Sequence, residues 1–209
     1  MGDIKNVKIN VVAKVGLGSK FQTIENVEPL DSSDKVSIEH KEGEVLLVDF
    51  WATWCPPCQA PMAHNQDMLA KRGEDWKGKV RIIGVSIDQD KAKLQGHVQN
   101  KQWTSVEHYF RAGSNCSTVY GVQGVPHVLI VDTQGTIVYK GHPAQRPNLE
   151  QDFDDLAAGK PITGKGAWSG ESGGDESKEE DEEEGKFTEV DSAAINKEID
   201  EFLPVNEAL

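Results

Sequence analysis

The chain has few cysteines, few aromatic residues and no long apolar segment. Its 209 residues include three cysteines, and aromatic residues make up 7% of the total. Three cysteines cannot form a complete disulfide framework, which excludes a small secreted domain held by several bridges. No run of 18 or more apolar residues occurs, and the first residues lack a basic region followed by an apolar stretch. We therefore expect no membrane span, no leader peptide and a reducing, cytoplasmic location.

Positive charge is also scarce. Lys and Arg number 22 against 35 Asp and Glu, which gives a formal net charge of −13. Binding to a nucleic acid backbone depends on Lys and Arg, so this balance argues against a nucleic acid or an anionic membrane as partner. Much of the negative charge lies in residues 171–184, which contain nine acids and one lysine. The mean hydropathy of −0.53 is low, which indicates that part of the chain stays in solvent.

The distribution of apolar residues predicts one domain over residues 1–162, in which strands and helices alternate. The run Val45–Phe50 is almost continuously apolar, as in a strand buried on both faces. A helix follows from Pro57 to about Arg72, where Gly73 permits an end. The further predicted elements are a strand at 8–15, a buried strand at 79–88, a helix capped by Asp90, a polar stretch at 103–117, a short helix ending near Gly121, a hairpin around 133–135 and a helix at 147–158. This order predicts an α/β class, a three-layer sandwich with a central mixed β-sheet.

The last part of the chain has a different composition. Residues 163–186 are rich in Gly, Ser and acids, which predicts a disordered linker that is either a solvating spacer or a binding element. Apolar residues return at helical spacing in residues 187–209, which predicts a C-terminal amphipathic helix. We find no internal repeat.

The chemical centre is the pair Cys55 and Cys58, which follows the predicted buried strand and opens the predicted helix. A helix N-terminus provides unpaired N–H donors and the positive end of the helix dipole, both of which favour a thiolate. A thiolate is the nucleophile in disulfide exchange, and a second thiol one turn later can displace the first product. A zinc site is the alternative, with His64 as a further ligand, but zinc normally needs four ligands. Cys116, the third cysteine, is expected in the polar stretch, either as a regulatory or second resolving thiol or as an inert one.

The segment VDFWATWCPPC resembles the active-site segment of thioredoxins, and GVPHVLIVDTQGTIVYKGH is similar to the cis-proline loop and hairpin of that family. The resemblance covers residues 36–158. The CPPC motif, and a strand IIGVSID followed by a longer insertion, look more like the TlpA, nucleoredoxin and tryparedoxin-like branches. The resemblance implies a thioredoxin fold with Cys55 as nucleophile and Cys58 as resolving thiol.

The resemblance also implies roles for five other residues. Asp49 corresponds to an aspartate that relays the proton of the resolving thiol, although a structural role at a strand end is the alternative; burial should raise its pKa. The substrate-binding residues implied are Trp54, Pro56, Val125 and Pro126. Pro126 is expected to be cis, with a trans turn as the alternative.

Two further side chains lie near these motifs, and only the second has an open role. Trp51 is expected to support the core. His127 either tunes the thiolate or begins a strand.

The predicted function is that of a thiol:disulfide oxidoreductase, a protein disulfide reductase that needs no cofactor and no metal. The expected partners are disulfide-containing protein substrates and an upstream thiol reductase or thiol pool, and the chain is expected to be a monomer. The alternatives are a client-binding, chaperone-like module, a dedicated reductase of extracytoplasmic partner thiols, and a thiol peroxidase. The last is weakened because the proline and threonine pattern around a peroxidatic cysteine is missing around Cys55.

Overall fold

The computed structural model describes residues 15–170, and in this range seven β-strands and four α-helices follow one another. The strands are β1 (Ile24–Pro29), β2 (Val36–Ile38), β3 (Val45–Trp51), β4 (Val80–Ser86), β5 (Glu107–Phe110), β6 (His127–Val131) and β7 (Ile137–Gly141). The helices are α1 (Pro56–Arg72), α2 (Lys91–Lys101), α3 (Cys116–Tyr120) and α4 (Leu149–Ala157), with a short 3₁₀ turn at Pro143–Gln145.

The strands of residues 15–170 form one mixed sheet in the order β2-β1-β5-β4-β3-β6-β7. Strand β3 lies inside the sheet, parallel to β4 and antiparallel to β6. All seven residues of β3 are buried, as its continuous apolar run predicts. In the β3–β6 pair Phe50 lies opposite His127, so the end of β3 and the start of β6 meet at the same edge of the sheet.

Helices cover both faces of the sheet. Because successive side chains of a strand point to opposite faces, β3 contributes alternate residues to two separate cores. Val45, Leu47 and Trp51 pack in the core that includes residues of α1, α2 and α4. Leu46, Val48 and Phe50 pack in the core that includes residues of α3. The predicted α/β class and three-layer sandwich with a central mixed sheet are therefore confirmed.

Several local predictions agree with the structure in detail. Asp90 caps α2, and its Oδ1 accepts hydrogen bonds from the backbone N–H groups of Ala92 and Lys93 at 2.9 and 3.1 Å. The predicted hairpin joins β6 to β7. Gly73 ends α1, but with φ −55° it keeps a right-handed conformation, so its freedom to adopt a positive φ is not used.

Three sequence predictions were wrong about local structure. The polar stretch at 103–117 contains the strand β5, which was missed because it is four residues long and buries only His108. Cys116 does not lie in this stretch as a loop residue: it begins α3 and is fully buried. The folded unit also extends past residue 162, because Ala167 bridges to Tyr139 and the N–H of Trp168 donates to the carbonyl of Val138 at 2.8 Å.

Ala167 and Trp168, in the first part of the predicted linker, therefore pack on β7. The remainder of the predicted linker, the predicted helix at 187–209 and most of the predicted strand at 8–15 lie outside the described residues. Within residues 15–170, no helix has the length and apolar content that crossing a bilayer requires.

Candidate active site

Cys55 and Cys58 are joined by a disulfide at the start of α1, with their Cα atoms 5.4 Å apart. Cys55 is the N-cap residue with extended backbone, and Pro56 and Pro57 occupy the first turn of the helix. Proline is well suited to these positions because its φ is already helical and the N–H groups of a first turn have no intrahelical partner. Cys55 is 3% exposed and Cys58 is 1% exposed, whereas both prolines of the motif lie at the surface. The disulfide is therefore buried directly beneath the exposed side chains of Pro56 and Pro57.

The segment between β3 and Cys55 is held by Asp88. The buried carboxylate of Asp88 accepts hydrogen bonds from the N–H of Thr53 at 2.9 Å and from its hydroxyl at 2.7 Å. The hydroxyl of Ser86 donates to the same carboxylate at 2.6 Å. These bonds tie the residue two positions before Cys55 to the end of β4. Sequence reasoning missed Asp88, although an acid as the last residue of the predicted buried strand at 79–88 was an available signal.

A second restraint acts on Cys55 from the helix side. The Gln59 amide donates to the carbonyl of Cys55 at 3.2 Å, and its Oε1 lies 2.9 Å from Nε2 of His97 on α2. Because the Gln59 amide nitrogen is already the donor to Cys55, its oxygen must accept, so Nε2 of His97 carries the proton. Burial lowers the pKa of His97, and Lys101 lowers it further. A proton on Nε2 of His97 is therefore what holds Gln59 in place.

Trp51 packs between His97, which holds Gln59, and the hydrophobic core. It is fully buried, and its ring lies 5.8 Å from that of His97 and 5.5 Å from that of Trp103. Trp54 is 58% exposed. The two tryptophans on either side of Ala52 and Thr53 therefore differ in environment, with Trp51 in the core and Trp54 presented at the surface beside the disulfide.

Asp49 is buried on the same face of β3 as Trp51, the face covered by α1. Its Oδ2 accepts a hydrogen bond of 2.9 Å from the Nδ2 of Asn65 on α1. Burial raises the pKa of Asp49 to about 8, against the opposing effect of the Asn65 hydrogen bond. The direction is the one that a carboxyl in a buried strand predicts.

The loop before β6 reaches the same edge of the sheet as the disulfide. The Val125–Pro126 peptide bond is cis, and Val125 packs against both cores while remaining half-buried. His127 begins β6 opposite Phe50, with their ring centroids 6.4 Å apart. Burial lowers the pKa of His127, as do Lys140 and His142 to a smaller extent. The implied substrate-binding residues Val125 and Pro126 are thus brought to the edge where β3 leads into the motif.

The remaining candidates lie elsewhere. His64 is exposed on α1, and within residues 15–170 no group of three or more His, Cys, Asp or Glu is arranged to hold a metal ion. Cys116 packs in the core on the opposite face of the sheet from Cys55 and Cys58, and its sulfur accepts a hydrogen bond from the hydroxyl of Ser114 at 3.1 Å. The sheet therefore separates this free thiol from the disulfide.

Comparison with known proteins agrees with the fold. Residues 43–137 match the family model described as thioredoxin-like. The thiol-disulfide oxidoreductase ResA of Halalkalibacterium halodurans is 24% identical over 123 residues, covering 59% of this chain and 68% of ResA. Nucleoredoxin of Bos taurus is 31% identical over 113 residues, covering 53% of this chain but only 26% of nucleoredoxin. The thioredoxin domain of a thiol-disulfide oxidoreductase from Bacteroides vulgatus superimposes with a TM-score of 0.51 at 23% identity, covering 66% of this chain and 98% of that domain.

Proposed function

We propose that the chain reduces disulfides in other proteins through Cys55 and Cys58, on the premise that residues 43–137, which match the thioredoxin-like family model, contain this cysteine pair as a disulfide. The observation that carries the proposal is the position of the pair: a disulfide at the N-terminus of α1, at the sheet edge reached by the loop that ends in Pro126. Cys55 begins the reaction and Cys58 completes it.

In the first step the reduced Cys55 thiolate attacks one sulfur of a substrate disulfide. A mixed disulfide forms between Cys55 and that sulfur, and the other substrate sulfur leaves as a thiolate that takes up a proton. The positive end of the α1 helix dipole stabilises the Cys55 thiolate, since Pro56 and Pro57 provide no N–H donors at the start of the helix. The hydrogen bonds from Thr53 to Asp88 and from Gln59 to the Cys55 carbonyl hold the backbone on both sides of the nucleophile.

In the second step Cys58 loses its proton to Asp49 and attacks the Cys55 sulfur of the mixed disulfide. The Cys55–Cys58 disulfide forms, and the second substrate sulfur leaves as a thiolate that is then protonated. A carboxyl with a pKa near neutrality, such as that of Asp49, is suited to accept and return a proton. The substrate gains two electrons, and an upstream thiol reductase or thiol pool restores the dithiol.

The substrate surface in this proposal consists of Trp54, Pro56, Val125 and Pro126. Two of them, Trp54 and Pro56, are exposed beside the disulfide, Val125 is half-buried at the same edge, and Pro126 directly after it is buried. An extended peptide could pair with the backbone before Pro126 while a side chain rests on the Trp54 ring. A monomer acting in the cytoplasm, where thiol donors maintain the dithiol, completes the proposal.

Insulin reduction by dithiothreitol, followed by turbidity, tests the proposal. The wild-type protein should accelerate precipitation, Cys55→Ser should abolish the acceleration, and Cys116→Ser is the matched control that should retain it. In Cys58→Ser the first step remains, so a mixed disulfide with the substrate should accumulate and appear as a covalent adduct by mass spectrometry. A wild-type rate no faster than dithiothreitol alone would overturn the proposal, and client binding without turnover would favour the chaperone-like alternative.

A further inference from the structure

Asn65 forms a buried polar pair with Asp49 in a layer that is otherwise mostly apolar. Both residues are 1% exposed. Asn65 lies on the stripe of α1 that faces the sheet, where Cys58 and Met62 precede it and are also buried. Cys58 and Asn65 are seven residues apart, about two helical turns, so both side chains face the same strand. The pair thus connects the strand that carries Asp49 to the helix that carries the resolving cysteine.

Only part of the hydrogen-bonding capacity of this pair is used. The Asn65 amide donates to Asp49 Oδ2 at 2.9 Å, whereas Asp49 Oδ1 and Asn65 Oδ1 have no hydrogen-bond partner. Buried polar atoms without partners destabilise a folded protein, and apolar residues of similar volume would fill the space at lower free energy. Stability alone therefore does not account for a half-satisfied pair at this place.

We propose, in an inference that rests on the proposed function, that Asn65 is a positioning residue for proton transfer at Cys58. Its amide holds Oδ2 of Asp49 and leaves Oδ1 as the oxygen that exchanges the proton. When Cys58 is deprotonated, its S–H bond breaks and an O–H bond forms on Asp49, and the electron pair on sulfur then attacks Cys55. The proton passes from Asp49 to the leaving substrate thiolate or to solvent. Asn65 itself neither gains nor loses a proton in the step.

After burial, the hydrogen bond from Asn65 is the largest influence on the pKa of Asp49. The register partners of Asp49 are Gly84 on β4 and Val128 on β6, neither of which ionises. The other titratable side chains on this face, apart from Cys58, include His97 and His108, whose rings contact Trp51. Burial raises the pKa of Asp49 and the Asn65 hydrogen bond lowers it. Without the amide, the carboxyl would ionise only at higher pH and would accept a proton less readily at neutral pH.

The two steps can be measured separately with Ellman's reagent and the reduced protein in a stopped-flow instrument. Attack by Cys55 releases one thionitrobenzoate, and attack by Cys58 on the mixed disulfide then releases the second. In Asn65→Leu, which has similar volume but no donor, the pH midpoint of the second phase should rise by about one unit, because a hydrogen bond to a charged group shifts its pKa by that amount or more. The second phase at pH 7 should slow about tenfold, since the ionised fraction of Asp49 falls tenfold per unit. The first phase should keep its pH profile.

The matched control is the same substitution in an Asp49→Asn background. There Asn65→Leu should leave the pH profile of the second phase unchanged, because the group that it acts on is gone. A full effect in that background, or a wild-type-like profile in Asn65→Leu alone, would show that Asn65 has a structural role only and would overturn the inference. A wild-type protein without any second phase would instead overturn the proposed function.

A measurement on the wild-type protein keeps the inference testable even if Asn65→Leu does not fold. In the reduced protein, the side-chain amide resonances of Asn65 should titrate with the same midpoint as the carboxyl carbon of Asp49. Amide resonances that do not respond to Asp49 ionisation would overturn the inference without any substitution.

Discussion

Replacing Asp49 by Asn should change how stability depends on pH. In the folded protein burial raises the pKa of Asp49 from 3.8 to about 8. In the unfolded chain the carboxyl ionises near its ordinary value, so between these two values the folded state holds one more proton than the unfolded state. Stability from this group is therefore fully present below about pH 4 and is lost as the pH rises toward 8. Asn65 remains available to pair with the new amide, so the substitution removes the ionisation and keeps the shape.

The magnitude follows from the displacement of the pKa. Each unit corresponds to about 1.4 kcal/mol, so a displacement of about four units amounts to roughly 6 kcal/mol between pH 4 and pH 8. The free energy of unfolding of Asp49→Asn, minus that of the wild type, should rise with pH by up to about 1.4 kcal/mol per unit and level off above about pH 8. The stability of the variant relative to that of the wild type should therefore be greater at pH 7 than at pH 5.

Urea unfolding of the oxidised protein, followed by tryptophan fluorescence at a series of pH values, measures this difference. Other groups also titrate in this range. Burial lowers the pKa values of His108 and His127, so these rings make stability rise with pH up to their unfolded pKa values, which opposes the effect of Asp49. Because the histidines are present in both proteins, the difference between variant and wild type isolates Asp49. His108→Phe, applied to both proteins, is a matched control that should leave that difference unchanged.

The reasoning would be refuted by parallel stability curves for the wild type and Asp49→Asn between pH 5 and pH 8. Such a result would mean that Asp49 ionises near its ordinary pKa in the folded protein. The role of Asp49 as proton acceptor for Cys58 would then lose its physical basis, since a carboxylate with an ordinary pKa is a weak base at neutral pH. The Cys55–Cys58 chemistry would need another acceptor.

Three further predictions concern the surroundings of the site. Trp54→Ala should raise the KM for insulin and change the free energy of unfolding by less than about 0.5 kcal/mol, whereas the buried control Trp51→Ala should lower it by about 3 to 5 kcal/mol. Steady-state kinetics and urea unfolding compare the two variants, and equal losses of stability would contradict the assignment of Trp54 to the surface and Trp51 to the core. Asp88→Ala should destabilise by about 2 to 4 kcal/mol and slow insulin reduction, because the Thr53 N–H and hydroxyl lose their acceptor; unchanged activity would show that this restraint does not matter for catalysis. The oxidised native protein should release no thionitrobenzoate from Ellman's reagent but one equivalent in denaturant, since Cys116 is buried; rapid reaction of the native protein would contradict this.

Patterns of neighbouring residues account for the parts of the fold that could be predicted. A continuous apolar run identifies β3 because a strand covered on both faces has no polar side, and the prolines that follow mark the helix start because few other positions in a helix accept them. The Asp90 cap and the hairpin at 133–135 are likewise encoded by residues that contact each other locally. Strand β5 was missed because no such local pattern marks it. Its four residues carry little pattern, and its place is decided by pairing with β1 and β4.

The supporting residues of the site were harder to predict, because they meet across large sequence distances. Thr53 and Asp88 are 35 residues apart, and Gln59 and His97 are 38 apart. Such residue types are most often at the surface, so nothing in their own neighbourhood marks them as partners. Asn65 is different. It interrupts an apolar stripe of α1 between Met62 and Met68, so helical spacing alone could have indicated a buried amide with a partner on the sheet.

The segment that follows β4 provides both restraints on the backbone around Cys55. Asp88 lies two residues after the end of β4 and holds Thr53, while His97 on α2 holds Gln59, whose amide reaches the Cys55 carbonyl. Both restraints act on groups next to the nucleophile and neither engages its sulfur. The sulfur must change partners twice in each cycle, so a rigid frame around a free sulfur suits disulfide exchange better than a hydrogen bond to the sulfur itself. The longer insertion between β4 and α3 therefore supports the motif through α2, and α2 stays in place through the packing of Leu94 and Val98 in the core that also contains Cys55 and Cys58.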